Sequence, residues 1–295
     1  MATDPLFERL ALIGVGLIGS SIARLAQSEG LVREIVVCAR SEQTRAKALE
    51  LGLAGRAEAE PGTAVEGADL VILCAPVGAN AALAEAMAPH LAPGAIVSDV
   101  GSVKAAVIRD VAPHLPENVH FVPGHPVAGT ENSGPEAGFA ELFEERWCIL
   151  TPPEGTDPAA VERVAEFWRR AGSKVEIMDA AHHDVVLAIT SHLPHLIAYN
   201  IVDTVADLEA TTKAEVFKYA AGGFRDFTRI AASDPVMWRD IFVNNREAVL
   251  EMLGRFSEDL TALQRAIRRG DAELLEEVFT RTRAIRKGVV DAGQA

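Results

Sequence analysis

From residue 9 to about residue 178, short apolar, β-branched runs alternate with longer stretches whose apolar positions recur every three or four residues. The runs at 10–13, 34–39, 69–75, 95–99, 120–123, 148–151 and 174–177 predict strands, and the stretches at 18–29, 42–51, 79–90, 104–114 and 158–171 predict the helices between them. Such alternation predicts an α/β domain on a doubly wound, mostly parallel sheet. After residue 182 the strand pattern stops. Helical spacing continues through 184–207, 212–221, 224–232, 235–269 and 271–290, which predicts an all-helical C-terminal domain over 181–295 behind an N-terminal domain over 1–180. Pro235 after Asp234 suits the first position of a helix, and Gly270-Asp271 suits the end of one helix and the cap of the next.

Charge narrows the partners. A formal net charge of −14 over 295 residues repels polyanions, so neither nucleic acid nor an anionic membrane is expected. Cys38, Cys74 and Cys148 each lie in an apolar run without short paired spacing, which predicts buried reduced thiols. The N-terminal stretch has acidic residues where a signal peptide carries positive charge, and no run approaches the roughly 18 apolar residues that span a bilayer. A cytoplasmic protein is expected.

The motif Gly14-Val15-Gly16-Leu17-Ile18-Gly19 follows the first strand and opens a helix. Gly14 permits the tight turn, Gly16 lets backbone approach a pyrophosphate, Gly19 lets helix and sheet pack closely, and the N–H groups of the first helical turn face the phosphates. A Rossmann-type dinucleotide site is therefore expected, with Ala75, Pro76 and Gly101 at other strand ends joining it. The acidic residue that holds the ribose 2′-hydroxyl would stand at Ala39, followed here by Arg40 and Ser41. Alanine neither binds that hydroxyl nor repels a 2′-phosphate, while Arg40, Ser41 and Thr44 can hold the phosphate, so NADP is expected ahead of NAD. The alternative is that Arg40 is an ordinary exposed arginine and NAD binds without its carboxylate.

Four further segments carry the chemistry: Gly101-Ser102-Val103-Lys104, Gly124-His125-Pro126-Val127-Ala128-Gly129-Thr130-Glu131, Thr190-Ser191-His192-Leu193-Pro194-His195, and Gly222-Gly223-Phe224-Arg225-Asp226-Phe227-Thr228-Arg229. With Ser233-Asp234-Pro235-Val236-Met237-Trp238 they resemble the prephenate/arogenate dehydrogenase family over nearly the whole chain. The resemblance implies oxidative decarboxylation of a cyclohexadienyl ring bearing a 4-hydroxyl and a ring carboxylate, with hydride leaving C4 for a nicotinamide. It implies the last oxidative step of tyrosine biosynthesis, with prephenate or arogenate as substrate. His125 is the expected base, since imidazole is largely neutral near pH 7 and can take the hydroxyl proton. The resemblance adds Ser102 and His195 to catalysis, and Arg229, Thr130, Glu131, Gly222, Asp226, Ser191, His183 and Trp238 to substrate binding.

Residue chemistry leaves some of these open. Pro194 removes an N–H and frees the Thr190 carbonyl, so the helix at Ser191, His192 and His195 is expected to loosen beside a polar face. His183 and His192 also suit a buried helix crossing, and Trp238 suits the core equally well. These histidines lack a recognisable ligand spacing, so no metal is expected. Arg229 matches a carboxylate with paired donors, and Lys104 or Arg225 are the next candidates for that anchor. A 3-hydroxyacid dehydrogenase of the lysine-dependent type would need a lysine at 184–202, where there is none. A non-catalytic nucleotide sensor would not need His125, His195 and Arg229 together. The apolar helices after Pro235 exceed what so small a domain can bury, and the resemblance implies the same: a homodimer through the helical domain. That domain uses up the chain to Ala295, so no fused regulatory domain is expected.

Overall fold

A computed structural model describes residues 4–208 and 210–291. Strands β1 (Phe7–Ile13), β2 (Val32–Cys38), β3 (Arg56–Glu58), β4 (Leu70–Leu73), β5 (Ile96–Asp99) and β6 (His120–Phe121) form one parallel sheet in the order β3-β2-β1-β4-β5-β6. Helices α1 (Leu17–Ser28), α2 (Glu42–Glu50), α3 (Pro61–Val65), α4 (Asn80–Met87) and α5 (Lys104–Val111) connect them. Apolar clusters lie on both faces, as a parallel sheet covered by helices requires. Leu10, Leu12, Ile22, Val37, Phe143 and Trp168 belong to one, and Ala11, Ile13, Val71, Met87, Val107 and Trp238 to the other.

The expected single sheet is in fact two. Strand β7 (Gly124–Pro126) runs antiparallel to β8 (Trp147–Leu150), which pairs in parallel with β9 (Lys174–Ile177) after α6 (Pro158–Arg170). The predicted strand over 120–123 therefore splits. His120 and Val122 donate to the Ala95 and Val97 carbonyls of β5, and the next N–H in that alternating register, that of Gly124, goes to the Asp99 side chain instead, which ends the ladder.

Beyond β9 the described residues are helical: α7 (Ala180–Leu187), a π turn at Ala188–His192, α8 (Leu193–Ala206), α9 (Ala210–Tyr219), α10 (Gly222–Thr228), α11 (Pro235–Asn244), α12 (Arg246–Arg269) and α13 (Ala272–Asp291). The π turn ends two residues before Pro194 and includes Thr190, where the missing N–H was expected to loosen the helix. By length and composition the run Ala180–Ala206 could cross a membrane, contrary to expectation. It carries buried polar residues, His183, Asp184 and His192, bonded to α5, to His125 and to Asn245, as a helix docked on protein does.

The helix expected over 235–269 breaks at Asn245 (φ −106°, ψ 32°), whose side chain is taken up by Asp184 and His192. By compactness the chain divides into Met1–Arg246 and Glu247–Ala295. Trp238 and Ile241 of α11 share an apolar cluster with β1, β4 and α5, which ties α11 into the first unit. The second unit is a helical pair, α12 and α13, turned at Gly270 (φ +66°). It leaves Leu260, Ile267, Leu274, Phe279 and Ile285 exposed.

Candidate active site

The glycine motif forms the loop between β1 and α1. Gly14 lies at φ +105°, and a side chain there would meet the Cys74 carbonyl oxygen at 2.7 Å. Gly16 faces open space, with no atom within 4 Å of a built Cβ, and a Cβ on Gly19 would collide with the Gly14 carbonyl. At the head of α1 Gly16 caps without a side chain, the first turn is free of acidic residues, and Leu17 and Ile18 are half-buried. These are the properties of a pyrophosphate cradle: close backbone approach and unopposed N–H groups at a helix start. At the end of β2, Ala39 is half-buried while Arg40 and Ser41 are exposed. Ser41 Oγ caps α2 by accepting the Thr44 N–H at 3.4 Å. Arg45 was missed by sequence reasoning. Its Nη1 donates to the carbonyls of Ala39 and Arg40 at 2.7 and 2.8 Å, fixing this edge of the loop. Ala75 is half-buried and Pro76 exposed after β4, and Gly101 donates its N–H to Asp99 Oδ2 at 2.7 Å.

His125 sits in β7 at the carboxyl end of the main sheet, 7% exposed. Its Nδ1 lies 2.8 Å from Nε2 of His183, and His183 Nδ1 lies 2.8 Å from Asp184 Oδ1. A carboxylate accepts only, so His183 donates from Nδ1 and receives at Nε2. His125 must then donate from Nδ1, which leaves its Nε2 with a free lone pair. Burial first, then the charges of His183, Lys104 and His192, hold His125 well below the usual imidazole range, so it is neutral at pH 7.

Asp184 is rigid for a second reason. Its oxygens accept the Lys104 and Ala105 N–H groups at 2.7 and 2.9 Å, capping α5 where the residue before it, Val103, offers no side-chain cap. Sequence reasoning passed over Asp184, although it directly follows His183. His183 is fully enclosed behind His125. Lys104 is also fully buried, paired with Asp99 at 2.5 Å, so it cannot serve as the alternative substrate anchor. Ser102, half-buried, follows Gly101 on the loop next to it.

His195 and Trp238 stack with ring centres 3.7 Å apart, and His192 meets the same indole edge-on at 6.1 Å. Trp238 is 6% exposed and belongs to the core cluster under β1, β4 and α5. His195 Nδ1 donates to the Ser191 carbonyl at 2.8 Å across the end of the π turn, so its Nε2 is free. Burial lowers the His195 pKa, the Ser191 bond opposes this, and Arg229 lowers it further. His192 is fully buried and pushed down to about 4, chiefly by burial. Arg229 is exposed and donates to Glu131 Oε2 at 3.0 Å, joining the loop after His125 to the segment after α10. Thr130 accepts the Asn132 N–H, Gly222 opens α10, and Asp226 is exposed and paired with Arg225.

Two family models match in order: the nucleotide-binding domain of prephenate dehydrogenase over residues 22–177, and its dimerization domain over 179–281. The cyclohexadienyl dehydrogenase of Zymomonas mobilis is 43% identical over 95% of both chains. The prephenate dehydrogenase of Aquifex aeolicus, solved with hydroxyphenyl propionate and NAD+, superposes with a TM-score of 0.89. It is 35% identical and covers 96% of this chain and 98% of that one. Synechocystis arogenate dehydrogenase superposes with a TM-score of 0.79 at 28% identity, over 95% of this chain and 99% of that one. Since one model spans His125 and the other spans His183 through Trp238, the two halves of the site lie within one family's architecture, and this chain belongs to the prephenate dehydrogenase family.

Proposed function

We propose that the enzyme oxidatively decarboxylates prephenate or arogenate, giving 4-hydroxyphenylpyruvate or tyrosine, with a nicotinamide dinucleotide as oxidant. The observation that carries this reading is the chain Asp184–His183–His125, which leaves His125 Nε2 as a neutral proton acceptor at the sheet's carboxyl end. Neutral Nε2 takes the 4-hydroxyl proton as hydride leaves C4. Carbon dioxide then departs from the ring carbon that held it, and the same imidazolium returns its proton to the phenolate oxygen. Bound along Gly14, Gly16 and the head of α1, the dinucleotide supplies the hydride acceptor. Arg229 holds a substrate carboxylate, with Glu131 as its partner in the free enzyme. His195, fixed by Ser191 and Trp238, presents Nε2 to the substrate, and Ser102, on the loop between β5 and α5, joins it in catalysis.

NADP is the favoured cofactor. No carboxylate stands at Ala39 to repel a 2′-phosphate, and Arg40, Ser41 and Thr44 are grouped where that phosphate would lie, on a loop braced by Arg45. The functional unit is a homodimer through the helical segments, which is supported by the match to a dimerization domain and by exposed Val202, Val243 and Leu250. Initial rates with prephenate and arogenate, each crossed with NAD and NADP, test the reading. Cofactor binding without turnover of either substrate would overturn it.

A further inference from the structure

Where the chain leaves the six-stranded sheet, two buried side chains replace the main-chain ladder at Gly124. Asp99 Oδ1 accepts the Gly124 N–H at 3.1 Å, and Lys104 Nζ donates to the Gly124 carbonyl at 2.6 Å. The two side chains, 1% and 0% exposed, pair with each other at 2.5 Å. Asp99 Oδ2 also receives the Gly101 N–H. One ion pair therefore grips both polar backbone groups of the residue before His125 and the residue before Ser102. The circuit closes through the main chain of Lys104, whose N–H is held by Asp184, the carboxylate that orders His183 and through it His125. None of the steps above uses the ammonium charge, and it is too deeply buried to reach substrate.

We propose that Lys104, clamped to Asp99, is a positioning residue for this dehydrogenase, fixing the Gly124–His125 backbone against the Gly101–Ser102 loop so that Nε2 meets the substrate hydroxyl. This rests on the reading of His125 as the base. An ammonium inside protein is costly unless paired, and here its partners are a carboxylate and a carbonyl at the one place where the sheet divides. The base lies on an edge strand paired only with β8, so the clamp holds the other edge, and small misplacements of a reacting group are expensive in rate.

Lys104→Met alone would leave Asp99 buried, charged and unpaired, so the test uses the charge-free pair Asp99→Asn with Lys104→Met. The folded double variant is expected to lose about 10- to 100-fold in kcat, with KM and cofactor Kd within about threefold of the parent. In a His125→Asn background the same pair should lower the residual kcat by less than about threefold, because the effect acts through His125. Lys104→Arg, which keeps the paired charge and alters the reach to Gly124, is expected to lose about tenfold in kcat at unchanged KM. A parent that binds cofactor and turns over neither substrate removes the dehydrogenase reading and this role with it. With an active parent, the positioning role alone fails if the double variant or Lys104→Arg retains parental kcat, or if the loss recurs in full without His125.

Discussion

His125 donates its Nδ1 proton to Nε2 of His183 across 2.8 Å, so the nitrogen that remains to accept a proton is Nε2. The direction is set one bond further back, where His183 donates to Asp184. Replacing His125 by Asn should lower kcat by roughly 10²- to 10⁴-fold with cofactor Kd nearly unchanged. Near-parental turnover would show that the base lies elsewhere.

Asp184→Asn tests the far end of the chain. An amide in this place can donate toward His183 and permit the wrong tautomer, so kcat should fall by about 10² or more. The variant also weakens the cap of α5, at a cost of about 1 kcal/mol. Thermal unfolding measured beside kcat separates the two effects, and a kcat unchanged in a folded variant would remove the tautomer argument.

The four histidines at 125, 183, 192 and 195 all have pKa values lowered chiefly by burial. Their folded values lie below the unfolded one, so between them the unfolded chain binds more protons. Stability is therefore fully present above about pH 6.5 and declines as pH falls toward the folded values, by up to about 1.4 kcal/mol per pH unit for each histidine. Urea midpoints at pH 7.5 and 5.5 should show the loss. The acid limb of kcat/KM should likewise lie below pH 6.5, because the free enzyme keeps His125 neutral there. A limb above 7 would contradict the burial argument.

Arg229→Ala should raise substrate KM by about 10- to 100-fold while changing cofactor affinity little, since a carboxylate clamp acts mainly on ground-state binding. Because Glu131 pairs with Arg229, Glu131→Gln should change KM far less. Equal KM in Arg229→Ala and parent would place the anchor on another residue.

Cofactor choice is read at the end of β2. Ala39→Asp should move the kcat/KM ratio toward NAD by about tenfold or more, as the new carboxylate meets a ribose hydroxyl or repels a 2′-phosphate. A parent that clearly favours NAD, or a ratio untouched by the substitution, would show that this loop does not select the cofactor.

The alternation of strand and helix, the glycine loop, and the order of His125, His195 and Arg229 along the chain are all properties of local pattern, and the amino-acid sequence by itself determines them. Periodicity carries which face of an element is apolar, and a glycine carries the turn that only it adopts easily. What the tertiary structure decided are the relationships between side chains far apart in sequence. The ladder on β5 ends at Gly124 because the Asp99 side chain, 25 residues away, takes its N–H, yet nothing local says that β5 is the neighbour. Asp184 and Asn245 act 80 residues from Lys104 and 53 from His192, so their roles exist only once α7 and α11 are packed. His125 was identifiable as a base from its residue type, but its tautomer, its neutrality and the nitrogen it offers were fixed by burial and by two hydrogen bonds. Those are consequences of exclusion from water, which a one-dimensional pattern does not record.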